Sequence, residues 1–226
     1  MSHQQNIVRI KAVANALSAL NVKIVFVGGA TISLYPDRPV FEVRPTDYID
    51  VIVEILSYSE RAALEDRLRA NGFIQDVESG IVCRYKIQGI VVDIMPTGDD
   101  SIGFSNRWYP DGFDNSVLYE IDAGNCINIL SSPYFIATKL EAFYDRGKGD
   151  GRTSQDFEDI VFLLENRKVI WDEMNATKEP LKSFLVYRLR LLFSNSNLFE
   201  WIDSNVEKGS PPATYRIISE LEKFVS

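Results

Sequence analysis

Two isolated carboxylates, Asp50 and Asp93, each interrupt a run of residues that otherwise belongs in a buried strand. Asp50 lies within the apolar run 48–55 and Asp93 within the run 90–95. An unpaired carboxylate in such a run carries a large desolvation cost. Each acid is therefore paired with an arginine, hydrated at a strand end, or bound to a cation. Two such acids on neighbouring strands could hold Mg²⁺, which proteins bind with one or two carboxylates together with substrate phosphates.

A pair of glycines, Gly28-Gly29, ends the first apolar run, and the hydroxyl residues Thr31 and Ser33 follow directly. Most such glycine pairs form only a turn. Glycines after a strand also let backbone N–H groups approach a phosphate closely. Together with the two downstream acids, the pattern favours a site for phosphate and a metal ion.

The elements that must position these residues follow from hydrophobic periodicity and from turn residues. Strands are predicted at 23–27, 48–55, 81–87, 90–95 and 126–130, and helices at 5–20, 60–71, 132–146 and 155–167. Residues 97–125 are predicted to form a long surface excursion, and only helical patterns follow Arg167. This order predicts an α+β fold, with a mixed β-sheet packed on helices and a helical C-terminal region. We expect one domain over residues 1–130 and a helical domain over residues 131–226.

Composition excludes several classes of site. The chain has 226 residues and a net charge of −8, which disfavours broad non-specific nucleic-acid binding but leaves room for a local basic groove. Its single histidine, His3, lies near the N-terminus, so a histidine metal site or a Ser-His-Asp triad is excluded. Cys83 and Cys126 lie in apolar, strand-like runs and are expected to be small buried thiols.

No apolar run approaches the length of about 20 residues that a membrane helix needs. The first residues are polar and have no signal-peptide pattern. The sequence therefore predicts a protein that does not cross a membrane, with a cytoplasmic location as the expectation.

Two blocks of the chain resemble a known family. The glycine pair, the segment Arg44–Val51 and the strand acid Asp93 resemble the nucleotidyltransferase superfamily. Residues 132–163 resemble its AbiEii/AbiGii toxin branch, of the type IV toxin–antitoxin kind, in which a lysine-bearing helix precedes a helix that starts Ser-x-Asp-x-x-Asp. The resemblance covers about residues 20–168, and the second block makes it specific.

The resemblance implies transfer of a nucleoside monophosphate from an Mg-NTP to an acceptor hydroxyl, with tRNA as the expected acceptor and an antitoxin protein as a possible partner. It implies Mg²⁺ as cofactor, held by Asp50 and Asp93, with Asp93 also helping to deprotonate the acceptor. The implied nucleotide-binding residues are Gly28, Gly29, Thr31, Ser33, Arg44 and Lys139, and the implied catalytic residues are Asp50, Asp93, Lys139, Asp156 and Asp159. Without the resemblance, Lys139 reads as a solvated helix lysine, and Asp156 and Asp159 as acids that complement a helix N-terminus.

The chain departs from the family pattern at Tyr48. In the family, two acids spaced Asp-x-Asp point to one face of a strand, and Tyr48 stands where the first is expected. Asp47 faces the opposite side, and a phenol stays protonated near neutral pH, which makes it a poor Mg²⁺ ligand. Two interpretations follow. The site acts with fewer protein ligands, or the fold persists with weakened or lost catalysis as a module that binds nucleotide, RNA or a protein partner.

Overall fold

The structure is a computed structural model that describes residues 2–37, 46–55, 57–98, 106–146, 149–207 and 211–226. The chain divides into two compact units. The first comprises Met1–Leu34 and Phe41–Ser131, and the second comprises Tyr35–Val40 and Ser132–Ser226.

The first unit is built on a seven-stranded mixed sheet. Its strands are β1 (Ile24–Val27), β2 (Tyr48–Val53), β3 (Ile74–Gln75), β4 (Arg84–Ile87), β5 (Ile90–Pro96), β6 (Val117–Asp122) and β7 (Asn125–Ile129), in the order β3-β4-β5-β2-β1-β7-β6. Strand β2 pairs parallel with β5 and antiparallel with β1, and β1 pairs parallel with β7. The helices of this unit are α1 (Ser2–Ser18), α2 (Tyr58–Ala70) and α3 (Tyr109–Asp114), and a short 3-10 helix spans Gly29–Leu34.

Strand β2 lies at the centre of this sheet because its side chains are apolar on both faces. Ile49, Val51 and Ile52 are fully buried, as expected for a strand that is covered on both sides. Helix α1 contacts β2 and β5 and buries the apolar stripe that contains Ile10 and Val13. The carboxylate of Asp50 is therefore carried on a buried strand that is paired on both sides.

The prediction of an irregular excursion over residues 97–125 is wrong in its second half, where the structure has α3 and β6. Strand β6 is an edge strand that pairs with β7 alone. Its residues Val117 and Leu118 are exposed, so the strand lacks the buried alternation by which strands are recognised. Cys126 is likewise exposed on β7, which corrects the expectation of a buried thiol, whereas Cys83 is buried as predicted.

The second unit is helical, as predicted for the C-terminal region. Its helices are α4 (Ser132–Asp145), α5 (Gln155–Asn166), α6 (Ile170–Asn175), α7 (Leu181–Phe193), α8 (Leu198–Asn205) and α9 (Pro211–Val225). Ser154 caps α5 as predicted, since its side chain accepts the N–H of Phe157. The rings of Phe143, Phe157 and Trp201 pack with centroids 5.4–6.4 Å apart and join α4, α5 and α8. Within the described ranges, none of the helices is both long and apolar enough to span a membrane.

The start of α2 differs from the prediction. The helix starts at Tyr58 rather than at residue 60, and its N-cap is Ser57, whose hydroxyl accepts a hydrogen bond from the N–H of Glu60. Ser57 has a glutamate three residues later, which is the spacing of a capping box, whereas Ser59 lies inside the helix.

Candidate functional site

Three neighbouring strands bring the predicted acids and the glycine turn to one place in the sheet. Asp50 on β2 is the register partner of Asp93 on β5. On the other side of β2, Asp50 is the register partner of Val27, the residue before Gly28. The prediction that these strands lie side by side, with the glycine pair beside Asp50, is confirmed.

The carboxylate of Asp50 lies against the backbone of Gly28. Its φ of +73° lies in the left-handed region, which side chains with a Cβ rarely adopt. A Cβ atom at Gly28 would lie 2.9 Å from Cγ of Asp50 and closer still to Oδ2. The carboxylate of Asp50 therefore lies directly over the backbone of the glycine turn.

The hydroxyl groups of Thr31 and Ser33, which follow the turn, donate hydrogen bonds to backbone carbonyls. The N–H and Oγ1 of Thr31 both donate to the carbonyl of Gly28, at 3.2 and 2.9 Å. Oγ of Ser33 donates to the carbonyl of Ala30. Both hydroxyl residues are buried. They hold the turn in shape, and their predicted nucleotide contact stays a prediction.

Replacing Gly28 with alanine is expected to lower the free energy of unfolding by about 2–5 kcal/mol. Left-handed geometry costs a residue with a Cβ about 1–2 kcal/mol, and the clash with Asp50 adds an overpacking cost of about 1–3 kcal/mol. Gly89→Ala is the matched control, because Gly89 has a φ of +79° and nothing within 4 Å of its added Cβ. Chemical denaturation of both variants measures the difference. Equal losses would mean that Asp50 moves away from Gly28 without cost.

Asp93 is paired with Arg84, a residue that the motif analysis did not single out. Nε and Nη2 of Arg84 donate to Oδ1 and Oδ2 of Asp93, each at 2.8 Å. The two residues are register partners on β4 and β5, and their side chains are 21% and 11% exposed. Hydrogen bonding to Asp93 raises the pKa of Arg84 above its usual range, so the guanidinium is always charged. Asp93 is therefore paired with an arginine, which is one of the three environments expected for a carboxylate in an apolar strand.

The pairing could have been found from the sequence. Arg84 and Asp93 stand at equal distances from Gln88-Gly89, the two residues between the predicted strands 81–87 and 90–95. Residues equidistant from a two-residue hairpin turn face each other across the strands. Both glycine and glutamine of that turn have positive φ, at +79° and +50°, which fixes the register.

Tyr48 lies beside this ion pair. It is two residues before Asp50 on β2, so the two side chains leave the same face of the strand. The guanidinium of Arg84 lies 5.3 Å from the centroid of the Tyr48 ring, within the range of a cation–π contact. Tyr48 is 40% exposed. The ring therefore supports the guanidinium on one side while part of it remains open to solvent.

These residues do not fit a pair of protein-held Mg²⁺ ions. In the part of the chain that the structure describes, no three acidic, histidine or cysteine side chains are grouped so that they could hold a metal ion. Both oxygens of Asp93 accept hydrogen bonds from Arg84, and a divalent ion on those oxygens would lie against a guanidinium of like charge. Tyr48, on the same face of β2 as Asp50, supplies a phenol rather than a carboxylate.

The remaining predicted residues form a second cluster, in the helical unit. Nζ of Lys139 on α4 lies 3.1 Å from Oδ1 of Asp156 and 2.6 Å from Oδ2 of Asp159, both on α5. Arg146 donates two further hydrogen bonds to Asp156, at 2.9 and 3.0 Å. Lys139 is only 6% exposed, and both acids are buried. The cluster holds α4 to α5, and the catalytic and phosphate-binding roles of its members stay predictions.

The charges of this cluster are stabilised by one another. Burial lowers the pKa of Lys139, but the carboxylates of Asp159 and Asp156 more than offset it, so the net pKa is raised. Burial raises the pKa of Asp156, but hydrogen bonds from Arg146 and the charge of Lys139 outweigh it, so the net pKa is lowered. Lys139 and Asp156 are therefore both charged across the neutral range.

These shifts predict how stability depends on pH. The lowered pKa of Asp156 contributes stability above its ordinary value of 3.8, and this is lost as the pH falls through the folded-state pKa. The raised pKa of Lys139 contributes stability below 10.5, and this is lost as the pH rises through its folded-state pKa. We expect the denaturation midpoint of Asp156→Asn to fall less steeply below pH 4 than that of the wild type. Identical acid limbs, with the exposed Asp66→Asn variant as control, would contradict the assignment.

The structure thus assembles the predicted residues in two separate groups. Gly28, Gly29, Asp50 and Asp93 lie together in the first unit, and Lys139, Asp156 and Asp159 lie together in the second. Arg44, predicted to bind nucleotide, lies outside the described residues.

Comparisons with known proteins identify the fold. No protein-family model and no curated protein matches the chain. Among solved structures, an antigenic nucleotidyltransferase-like protein from Paracoccidioides brasiliensis matches with a TM-score of 0.55 and 16% identity, over 93% of this chain and 97% of that one. The fold is nucleotidyltransferase-like. The antibiotic-resistance factor ANT(2'')-Ia matches with a TM-score of 0.50 and 18% identity, over 85% of this chain and 96% of that one.

Proposed function

We propose that this protein is a nucleotide-binding module with a nucleotidyltransferase-like fold, in which metal-dependent transfer is weakened or lost. The observation that carries the proposal is the bidentate ion pair between Arg84 and Asp93. In this ion pair, both carboxylate oxygens of Asp93 accept hydrogen bonds from the guanidinium of Arg84. Tyr48 stands where the family resemblance expects a further acid, so that position offers no carboxylate to bind a metal ion in place of Asp93.

Nucleotide binding is supported by the groups that surround this pair. The guanidinium of Arg84 suits a phosphate, and the partly exposed ring of Tyr48 offers an aromatic face to a base. Arg84 on β4 and Tyr48 on β2 lie on either side of strand β5 in one sheet.

A second candidate function is the transfer of a nucleoside monophosphate from an NTP to an acceptor hydroxyl. The register pairing of Asp50 with Asp93 favours it, because two of the three acids of the family pattern are then adjacent. Under this proposal the protein is a toxin of the AbiEii kind in the cytoplasm, with tRNA as acceptor and an antitoxin as partner. Arg84 would have to release Asp93 before that carboxylate could take part.

Incubation with each labelled NTP, Mg²⁺ and total RNA separates the two functions, with NTP binding measured in parallel. We expect binding without incorporation of label. Incorporation that disappears in Asp50→Asn but persists in the exposed control variant Asp66→Asn would establish the transferase. Incorporation that survives Asp50→Asn would remove Asp50 from the reaction. Failure to bind any NTP would overturn the nucleotide-binding proposal.

A further inference from the structure

Arg84 retains hydrogen-bonding capacity after it has paired with Asp93. A guanidinium carries five N–H groups in a planar fork, and Asp93 accepts one from Nε and one from Nη2. Among the residues that the structure describes, no other group accepts from the fork, which leaves three of its N–H groups. The side chain is 21% exposed, so solvent, and hence a ligand, can reach it. The residue can therefore contact a second anion without leaving the first.

The guanidinium is also held in one orientation before any ligand arrives. Asp93 fixes its plane through two parallel hydrogen bonds, and the Tyr48 ring supports it at 5.3 Å. Arg84 lies on β4, which is paired with β5 along its whole length. An arginine that is already ordered loses little side-chain entropy when it binds a phosphate.

The position of the Arg84 guanidinium indicates which anion its remaining N–H groups would bind. It lies against Asp93, the carboxylate on which the family resemblance places a metal ion, and within cation–π distance of Tyr48, where the resemblance expects another acid. We propose that Arg84 takes the place of that metal ion and contacts the phosphate groups of the nucleotide directly, so that nucleotide binding needs no divalent cation. This rests on the nucleotide binding proposed above.

The test is calorimetric titration of ATP into the full chain, in EDTA and in MgCl₂. We expect ATP affinities that agree within about twofold in the two buffers. The double variant Arg84→Gln/Asp93→Asn removes the charged fork without leaving Asp93 unpaired, and it should bind ATP about tenfold more weakly, the loss typical of one charge-assisted contact. Adenosine, which has no phosphate, should bind equally to both proteins.

Arg69→Gln/Asp66→Asn is the matched control, because it neutralises an exposed Arg–Asp pair in the same unit, and it should leave ATP affinity unchanged. Binding of ATP in MgCl₂ but not in EDTA would overturn the role of Arg84 while the proposed nucleotide binding stands. ATP affinity unchanged in Arg84→Gln/Asp93→Asn would also overturn it. No binding of ATP in either buffer would overturn both proposals.

A direct measurement of metal binding gives a readout that needs no nucleotide. Mn²⁺ titrated into the protein alone is followed by the loss of the free-ion electron paramagnetic resonance signal. We expect no difference between the wild type and Asp93→Asn at any Mn²⁺ concentration. A site that is present in the wild type and absent in Asp93→Asn would show that Asp93 binds metal in preference to Arg84, and would overturn the inference.

Discussion

Replacing Lys139 with methionine is expected to lower the free energy of unfolding by about 3–5 kcal/mol, the usual cost of removing one partner from a buried ion pair. Lys139 contacts two buried carboxylates, Asp156 and Asp159. Methionine has a similar length but no charge, so both acids would lose their shared cation inside the helical unit. Arg146 still pairs with Asp156 in this variant.

Lys223→Met is the control, because Lys223 forms an exposed pair with Glu220, and such pairs contribute about 0–1 kcal/mol. Equilibrium denaturation measures both variants. Adding Asp159→Asn to Lys139→Met should restore part of the loss, since it removes one of the two buried carboxylates that Lys139 contacts. A loss below about 1 kcal/mol for Lys139→Met would mean that water already solvates the carboxylates. Lys139 would then be accessible to a phosphate, as the family resemblance implies.

The double variant Tyr48→Asp/Arg84→Gln is expected to make nucleotide binding dependent on Mg²⁺. Tyr48→Asp restores the missing acid, and an added charge-assisted contact is worth about 1–3 kcal/mol, or about 5- to 150-fold in affinity. The single variant should gain much less, because the guanidinium of Arg84 lies against the Tyr48 ring and would pair with the new carboxylate. The two substitutions therefore act non-additively, as neighbouring residues do.

The quantity to measure is the ratio of ATP affinities in MgCl₂ and in EDTA for the wild type, both single variants and the double variant. We expect a ratio near one for the wild type and the largest ratio for Tyr48→Asp/Arg84→Gln. Tyr48→Phe/Arg84→Gln is the control that removes the arginine without adding an acid. If the double variant shows no greater dependence on Mg²⁺ than this control, then Tyr48 does not stand at a vacated ligand position.

The strands that carry the candidate site could be predicted from local sequence patterns. The strands that carry Asp50 and Asp93 are long apolar runs, and turn residues mark their ends, so their existence and their shared sheet could be predicted. The sequence identified Gly28 as a position where glycine matters, but it did not show why glycine is needed there. The pattern suggested an approach of phosphate to the backbone, whereas in the structure the carboxylate of Asp50 occupies that space.

The motifs alone did not identify the partners that the candidate residues have across strands and helices. Arg84 reads as an ordinary strand residue until the hairpin register places it opposite Asp93. Asp156 and Asp159 are three residues apart on one helix face, but only the packing of α4 on α5 shows that both reach Lys139. Strand β6 was missed because its exposed side chains obey no burial pattern.

The most direct test of the central claim, that Arg84 rather than a metal ion neutralises Asp93, is a crystal structure of the wild-type protein soaked in MnCl₂, with anomalous scattering used to locate manganese. We expect both hydrogen bonds from Arg84 to Asp93 to persist, with no anomalous peak between Asp50 and Asp93. A manganese ion within about 2.0–2.2 Å of oxygens from both carboxylates, the distance range of a hard divalent ion, with Arg84 displaced, would contradict the claim.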